Sequence, residues 1–149
     1  MPAVQSTYPS RLSSGHVGEL ADLGESDVIS REVQAAGGIG FGLAVIQGTA
    51  DNQATIGGAG IFLGISVRDP AVDATRGDKY NQYDNVAIMR NGVIWVTAGE
   101  AVNFGDAVYR TSTGTLNKTS AGNTLVANAR WDSTAANGAL AKVRLYASG

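Results

Sequence analysis

The sequence predicts an all-β chain, a small β-barrel or β-sandwich of about eight short strands with an extended N-terminal arm. Three observations point there. Glycine reaches twenty of 149 residues, about twice its ordinary share, and is spread without a collagen period. Short runs rich in Val, Ile, Thr and aromatic residues alternate with Gly, Asn and Asp punctuation. No long stretch carries the 3.6-residue apolar period of an amphipathic helix. The length suits one domain, so the division expected is an arm over residues 1–30 and a barrel or sandwich over 31–149.

The arm is irregular by composition. Pro2, Pro9, Gly15, Gly18 and Gly24 break it up, while Tyr8, Leu12, Val17, Leu20 and Leu23 are scattered apolar anchors. Composition alone suits a disordered tail; with these anchors the segment is read as an arm lying on a partner surface.

Strand signals start at Val28 to Val33. A run from Ile39 to Ile46 follows, between Gly37-Gly38 and Gly48. Its glycines at 38, 40 and 42 fall at every second position, so they share one strand face against which something packs closely. Ala54 to Ile56 and Ile61 to Val67 are the next strands, the latter stopped at Pro70. Asp69 to Asn85 is the longest polar stretch and reads as a loop. Within Asn85 to Thr97, Asn91-Gly92 supplies the two positive-φ positions of a type I′ turn, which predicts a two-residue hairpin with Ile88 facing Trp95. The last strands are predicted after Gly105-Asp106 (AVYRTS), after Thr113-Gly114 (TLNKTS), at Val126 to Asp132 and at Leu140 to Ala147. In the final one Val143, Leu145 and Ala147 alternate with Lys142, Arg144 and Tyr146, a half-buried pattern.

The composition excludes most chemistry. With no cysteine there is no disulfide or thiolate metal site, and His16 is the sole imidazole. A serine or threonine nucleophile would need His16 as its base, and His16 sits in the irregular arm without a G-x-S-x-G elbow. No catalytic, cofactor-binding or metal-binding residue is therefore expected. The carboxylates of Asp69, Asp73, Asp78 and Asp84 share a loop, but they lack EF-hand spacing and read as solvated turn residues. The glycines at 38, 40 and 42 do not match a dinucleotide fingerprint. Arg76-Gly77-Asp78 is a tripeptide that chance produces often. Trp95 and Trp131 lie in strand patterns and read as core or interface residues before stacking platforms. A net charge of −2 with no basic cluster argues against nucleic acid. No apolar run is long enough to cross a bilayer and the N-terminus lacks a secretory h-region, so a product of the cytoplasm is expected.

One resemblance runs through most of the chain. SGHVGELAD (Ser14 to Asp22), IGFGLAV (Ile39 to Val45), FLGISV (Phe62 to Val67), the loop Lys79-Tyr80-Asn-Gln-Tyr83, VAIMRNGVIWV, Val102-Asn-Phe-Gly-Asp-Ala-Val-Tyr109 and the turn Thr113-Gly114 follow one another in a characteristic order. From about Gly15 to the C-terminus that order resembles the structural cement (decoration) proteins of tailed bacteriophages. The resemblance implies a virion protein made in the host cytoplasm, with a β-barrel or sandwich body on the outer capsid surface. It implies binding to the major capsid protein and a homo-oligomer, a trimer in preference to a dimer. Capsid contact is then expected from Tyr8, Leu12, Val17, Leu20 and Leu23, with Arg11 and His16 at the rim. Self-association is expected from Tyr80 and Tyr83, because exposed tyrosines favour interfaces. The competing reading is a carbohydrate- or receptor-binding β-domain of a phage or bacterial surface structure, resting on the tryptophans and the tyrosine loop. A small hydrolase stands third, for want of histidine.

Overall fold

The computed structural model describes residues 16–21, 26–57, 60–69 and 79–146, and among these it has eleven strands and no helix. They are β1 (Asp27–Val33), β2 (Ile39–Gly40), β3 (Ala44–Gln47), β4 (Gln53–Thr55), β5 (Phe62–Ser66), β6 (Lys79–Tyr80), β7 (Asn85–Thr97), β8 (Ala107–Arg110), β9 (Leu116–Asn117), β10 (Thr124–Trp131) and β11 (Leu140–Leu145). The all-β class is as the glycine and β-branched pattern predicts. The strand number is higher than expected because several are only two or three residues long.

The largest departure from expectation lies at Asn91-Gly92. The predicted hairpin does not form: β7 runs on as one strand of 13 residues. Gly92 has φ +130°, a backbone open to glycine and rarely to other residues. The strand uses this freedom to change partners instead of direction. Before it, Asn85 to Asn91 pair antiparallel with β1, and Ile88 and Met89 also pair with β5. After it, Gly92 to Thr97 pair with β11. The side-chain alternation slips here too. Met89 and, five residues on, Ile94 enter the same core, which an unbroken period of two forbids.

Two rings of strands share β7. Pairings β1–β4, β4–β3, β3–β5, β5–β7 and β7–β1 close the first on itself, with β1–β4 its parallel step. The second runs β7–β11–β10–β8–β9 and returns through the parallel bridge of Leu116 to Ala98, just beyond the end of β7. Val33, Val45, Ala54, Val86 and Ile88 form the first core, joined by Ile39 and Tyr80 from the separate β2–β6 ribbon. The second core fills the other ring with Ile94, Val96, Val108, Leu116, Trp131, Val143 and Leu145. It also takes Ala44, Ile65 and Met89 from the first ring, which welds the two together.

The run from Ile39 to Ile46 is likewise not one strand. It turns at Phe41-Gly42, where Gly42 has φ +70°. The glycines therefore do not share one strand face, and close packing is found at two of the three: a Cβ on Gly42 would meet Val17 Cγ1 at 2.7 Å and one on Gly38 would fall on the Tyr80 carbonyl, whereas one on Gly40 would meet only Leu43 Cδ1 at 3.4 Å.

Gly64 is where β5 lies closest to the shared strand. A methyl group there would fall on the Met89 carbonyl oxygen and come within 2.8 Å of Ile88 Cγ2. Backbone cannot yield as a flexible side chain can, so Gly64→Ala is expected to destabilise the fold by about 1–3 kcal/mol. Gly37→Ala meets nothing within 4 Å and is expected to stay within about 0.5 kcal/mol of the parent. Denaturant unfolding of the two variants checks the contrast.

Candidate interaction surface

Exposed apolar side chains are the main surface feature of the described residues. Among the described residues no group of three or more His, Asp or Glu could hold a metal ion. The large apolar side chains left exposed are Ile61 (73%), Tyr83 (71%) and Phe104 (70%), then Leu125, Tyr146, Val28 and Leu20.

Part of this surface forms an open groove of about 730 Å³ where the two rings meet. One wall is Phe62 and Leu63 of β5, and the other is Leu125 to Asn128 of β10. Asp27, Arg90 and Asn91 close it at the partner-switching point of β7. Along this wall β10 follows β8 from Thr124 to Val126, bulges, meets β8 again at Arg130, and has β11 as a second neighbour from Ala129 on. Along Leu125 to Ala127 the edge facing away from β8 has no ladder partner among the described residues.

Arg110, at the end of β8, lines the same groove. Strand alternation turns it inward beside Val108, and it is 4% exposed. Its Nη1 donates to the Gly57 carbonyl and its Nη2 to the Gly60 carbonyl, both at 3.1 Å, while buried Nε has no acceptor. Burial pushes its pKa down, and among the described residues no carboxylate opposes that. At the rim Arg90 is answered: its Nε and Nη2 donate to Asp27 Oδ2 at 3.0 and 2.6 Å. A buried guanidinium held only by carbonyls is costly in an isolated chain. Sequence reading passed over Arg110, although its place in the inward register of VYR, two residues after Val108, was a usable signal.

The residues expected at interfaces are distributed differently. Tyr8, Arg11, Leu12 and Leu23 lie outside the described residues, as do Asp73, Asp78 and the Arg76-Gly77-Asp78 tripeptide. Residues 16–21 are stitched to their own body along the free edge of β7. Gly18 N donates to Trp95 O, Trp95 N to Glu19 O and Ala21 N to Val93 O. Val17 is half-buried against the first core, and Leu20 is 36% exposed beside Ile94. His16 is exposed, and its backbone N–H and ring Nδ1 lie 3.0 and 3.2 Å from Glu19 Oε2. The backbone bond, then the ring, holds the Glu19 carboxyl below its usual range.

Tyr80 corrects an expectation. It is 1% exposed, so it has no surface to offer a second copy. Its ring meets the Phe41 ring edge-on at 5.4 Å, and its hydroxyl donates to the Val67 carbonyl at 2.5 Å. A tyrosine in a polar sequence was misread because β6 pairs with β2 and carries its ring into the first core. Tyr83, three residues on, is exposed and holds φ +73°, uncommon for a residue with a Cβ. Trp131 is buried with Nε1 donating to the Asn117 carbonyl, and Trp95 is half-buried with the Lys142 ammonium 5.8 Å from its ring centroid.

Comparison with known proteins accords with a surface built for contact. The family model described as structural cement protein (E217 gp24/Pam3 gp6) matches residues 4–146. The chain belongs to that family. Among solved structures, a chain of the capsid of Myoviridae phage XM1 superposes with a TM-score of 0.72 at 20% identity, covering 97% of this chain and 98% of that one. The N base of head fiber gp8.5 of bacteriophage phi29 superposes with a TM-score of 0.52 at 15% identity, covering 81% and 94%. No curated protein sequence matches this cement protein. At these identities the two structures establish a shared fold.

Burial raises the Tyr80 pKa from 10 to about 12. The protonated phenol therefore stabilises the fold fully below pH 10, and that contribution is lost as pH rises from 10 through 12. Tyr80→Phe removes the hydroxyl and its bond to Val67, with an expected cost of about 1 kcal/mol at pH 7. Two pKa units are worth about 2.7 kcal/mol, so the gap between parent and variant should close as pH rises from 10 and reverse before pH 12. Unfolding midpoints measured across that range test it, and a constant gap contradicts the assignment.

Proposed function

We propose that this chain is a non-enzymatic cement protein that sits on the outer surface of a phage head and ties neighbouring major capsid proteins together. The observation that carries this is the family match across residues 4–146. The mechanism is additive contact energy. A contact of standard size buries about 1,200–2,000 Å², and joining several such contacts in one oligomer raises their combined strength through effective concentration.

Arm residues Tyr8, Arg11, Leu12 and Leu23 are assigned to the capsid side, with His16 and the exposed part of Leu20 beside them. Val17 supports this segment from beneath, since it is packed into its own body. The homo-oligomer is proposed as a trimer, with Tyr83 in its self-contact. A rigid, amphipathic and already constrained tyrosine gives up little freedom on binding. The carbohydrate-binding alternative loses the support of its tryptophans, because Trp131 is buried and Trp95 is half-buried with the Lys142 ammonium 5.8 Å from its ring centroid.

Purified protein added to heads stripped of it should co-sediment saturably and raise the temperature at which the particles break. A chain lacking residues 1–15 keeps the segment stitched to β7 and should fold. It is expected to bind heads at least about tenfold more weakly, a loss of about 1.4 kcal/mol. Full binding by the truncated chain would remove the arm from the capsid contact. No binding by the intact chain would overturn the cement reading.

A further inference from the structure

The outer face of the second ring sets like charges against each other. Arg130 of β10 lies directly opposite Arg144 of β11, so the two side chains leave the same face of the sheet. Lys142, two residues before Arg144, shares that face and lies opposite Trp95 of β7. Asp132 Oδ1 stands 3.6 Å from Arg144 Nε, while exposed Arg130 gives Nη1 to the carbonyl of its neighbour Ala129. Like charges directly opposite destabilise an antiparallel pair, so this face costs the isolated chain some stability.

Tyr83 costs the fold in a similar way. Three turns among the described residues share one build: an acidic side chain accepts from the N–H three residues before it, and its own N–H donates back to that residue's carbonyl. They are His16 to Glu19, Asn81 to Asp84 and Asn103 to Asp106. The third position has positive φ in each, and the residues there are Gly18, Tyr83 and Gly105. Tyr83 thus stands where its counterparts are glycine, and it is 71% exposed. The backbone beneath it is fixed, since Tyr83 N donates to the Val33 carbonyl. Asp84 follows Tyr83 in the chain and Glu32 precedes Val33, so carboxylate-bearing residues frame the tyrosine.

A threefold ring cannot pair a patch with itself; each copy meets the next through two different patches. A self-contact through Tyr83 therefore needs a second face, of charge opposite to Glu32 and Asp84. We infer that the Tyr83 turn of one copy docks on the face of the next that carries Arg130 and Arg144. The tyrosine ring stacks on a guanidinium plane, and Glu32 pairs with Arg130. This rests on the proposed self-contact through Tyr83 and names the surface it meets. Both features that cost the free chain stability gain a partner in the oligomer.

Sedimentation equilibrium of the intact chain reads the contact, and thermal unfolding reads the fold. Tyr83→Gly relieves the backbone, so it should unfold at or above the parent temperature yet associate at least about tenfold more weakly. Arg130→Glu turns a like-charge pair into an opposite-charge one. It too should hold or raise the unfolding temperature, with association at least about tenfold weaker. Adding Glu32→Arg to Arg130→Glu exchanges the two charges and should restore association to within about threefold of the parent. Parent-like association by either single variant, no recovery in the double variant, or a parent chain that stays monomeric would overturn the inference. A lowered unfolding temperature for Tyr83→Gly would overturn it as well, by showing that the turn itself requires the tyrosine. Stripped heads separate this contact from the cement reading. A parent chain that self-associates with the expected variant pattern but leaves heads bare removes that reading and supports the contact. Arg130→Glu that associates like the parent but binds heads more weakly would give this face to the capsid instead.

Discussion

The double use of β7 is the constraint on which the rest of the structure depends. A strand of 13 residues serves two rings only if its backbone can turn its pairing groups from one set of neighbours to another without ending. Asn91-Gly92 is that joint. On one side lies a closed ring of short strands around Val86 and Ile88; on the other lies a ring around Ile94 and Val96. Strands of two to five residues are too short to be stable alone. Both rings therefore rely on a common long strand, and Met89, Ile65 and Ala44 make their cores continuous at the junction.

Much of this was legible in the sequence, and the failures share a cause. Turn glycines and alternating apolar residues located β5, β8, β10 and β11 closely, because tight turns and half-buried faces leave local marks. Asn91-Gly92 misled because the dipeptide's capacity for positive φ is local, whereas the choice between turning back and continuing depends on which distant strands are available. Here β1 comes from 59 residues earlier in the chain, as Ile29 opposite Ile88 shows, and β11 from 49 later, as Val143 opposite Ile94 shows. Phe41-Gly42 shows the reverse error, a continuous apolar run that turns at a glycine whose φ of +70° and whose approach to Val17 both disfavour a side chain. Tyr80 looked like a surface residue since its neighbours are polar, and only the ribbon it forms with Ile39 explains why it is buried.

The interaction surface was less legible than the fold. An arm can be recognised from composition, but its first 15 residues lie outside what the structure describes, and its described end is bonded to its own body. The groove joins β5, β7, β8 and β10, so no contiguous stretch encodes it. One part was visible in principle. An arginine in the inward register of a strand breaks the binary pattern, and such breaks tend to mark places where stability is exchanged for specificity.

Closed rings explain why that break can be tolerated. An open sheet offers unpaired edges to any extended chain, and closure removes most of them. Around the two rings the described strands therefore leave few places where a stray strand can add. Arg110 is the break in the pattern within this frame: 4% exposed at the end of β8, it gives Nη1 and Nη2 to the carbonyls of Gly57 and Gly60. Those two bonds offset part of the cost of drying a guanidinium. They also tie β8 of the second ring to the connection between β4 and β5 of the first, so a side chain as well as the shared strand β7 fastens one ring to the other.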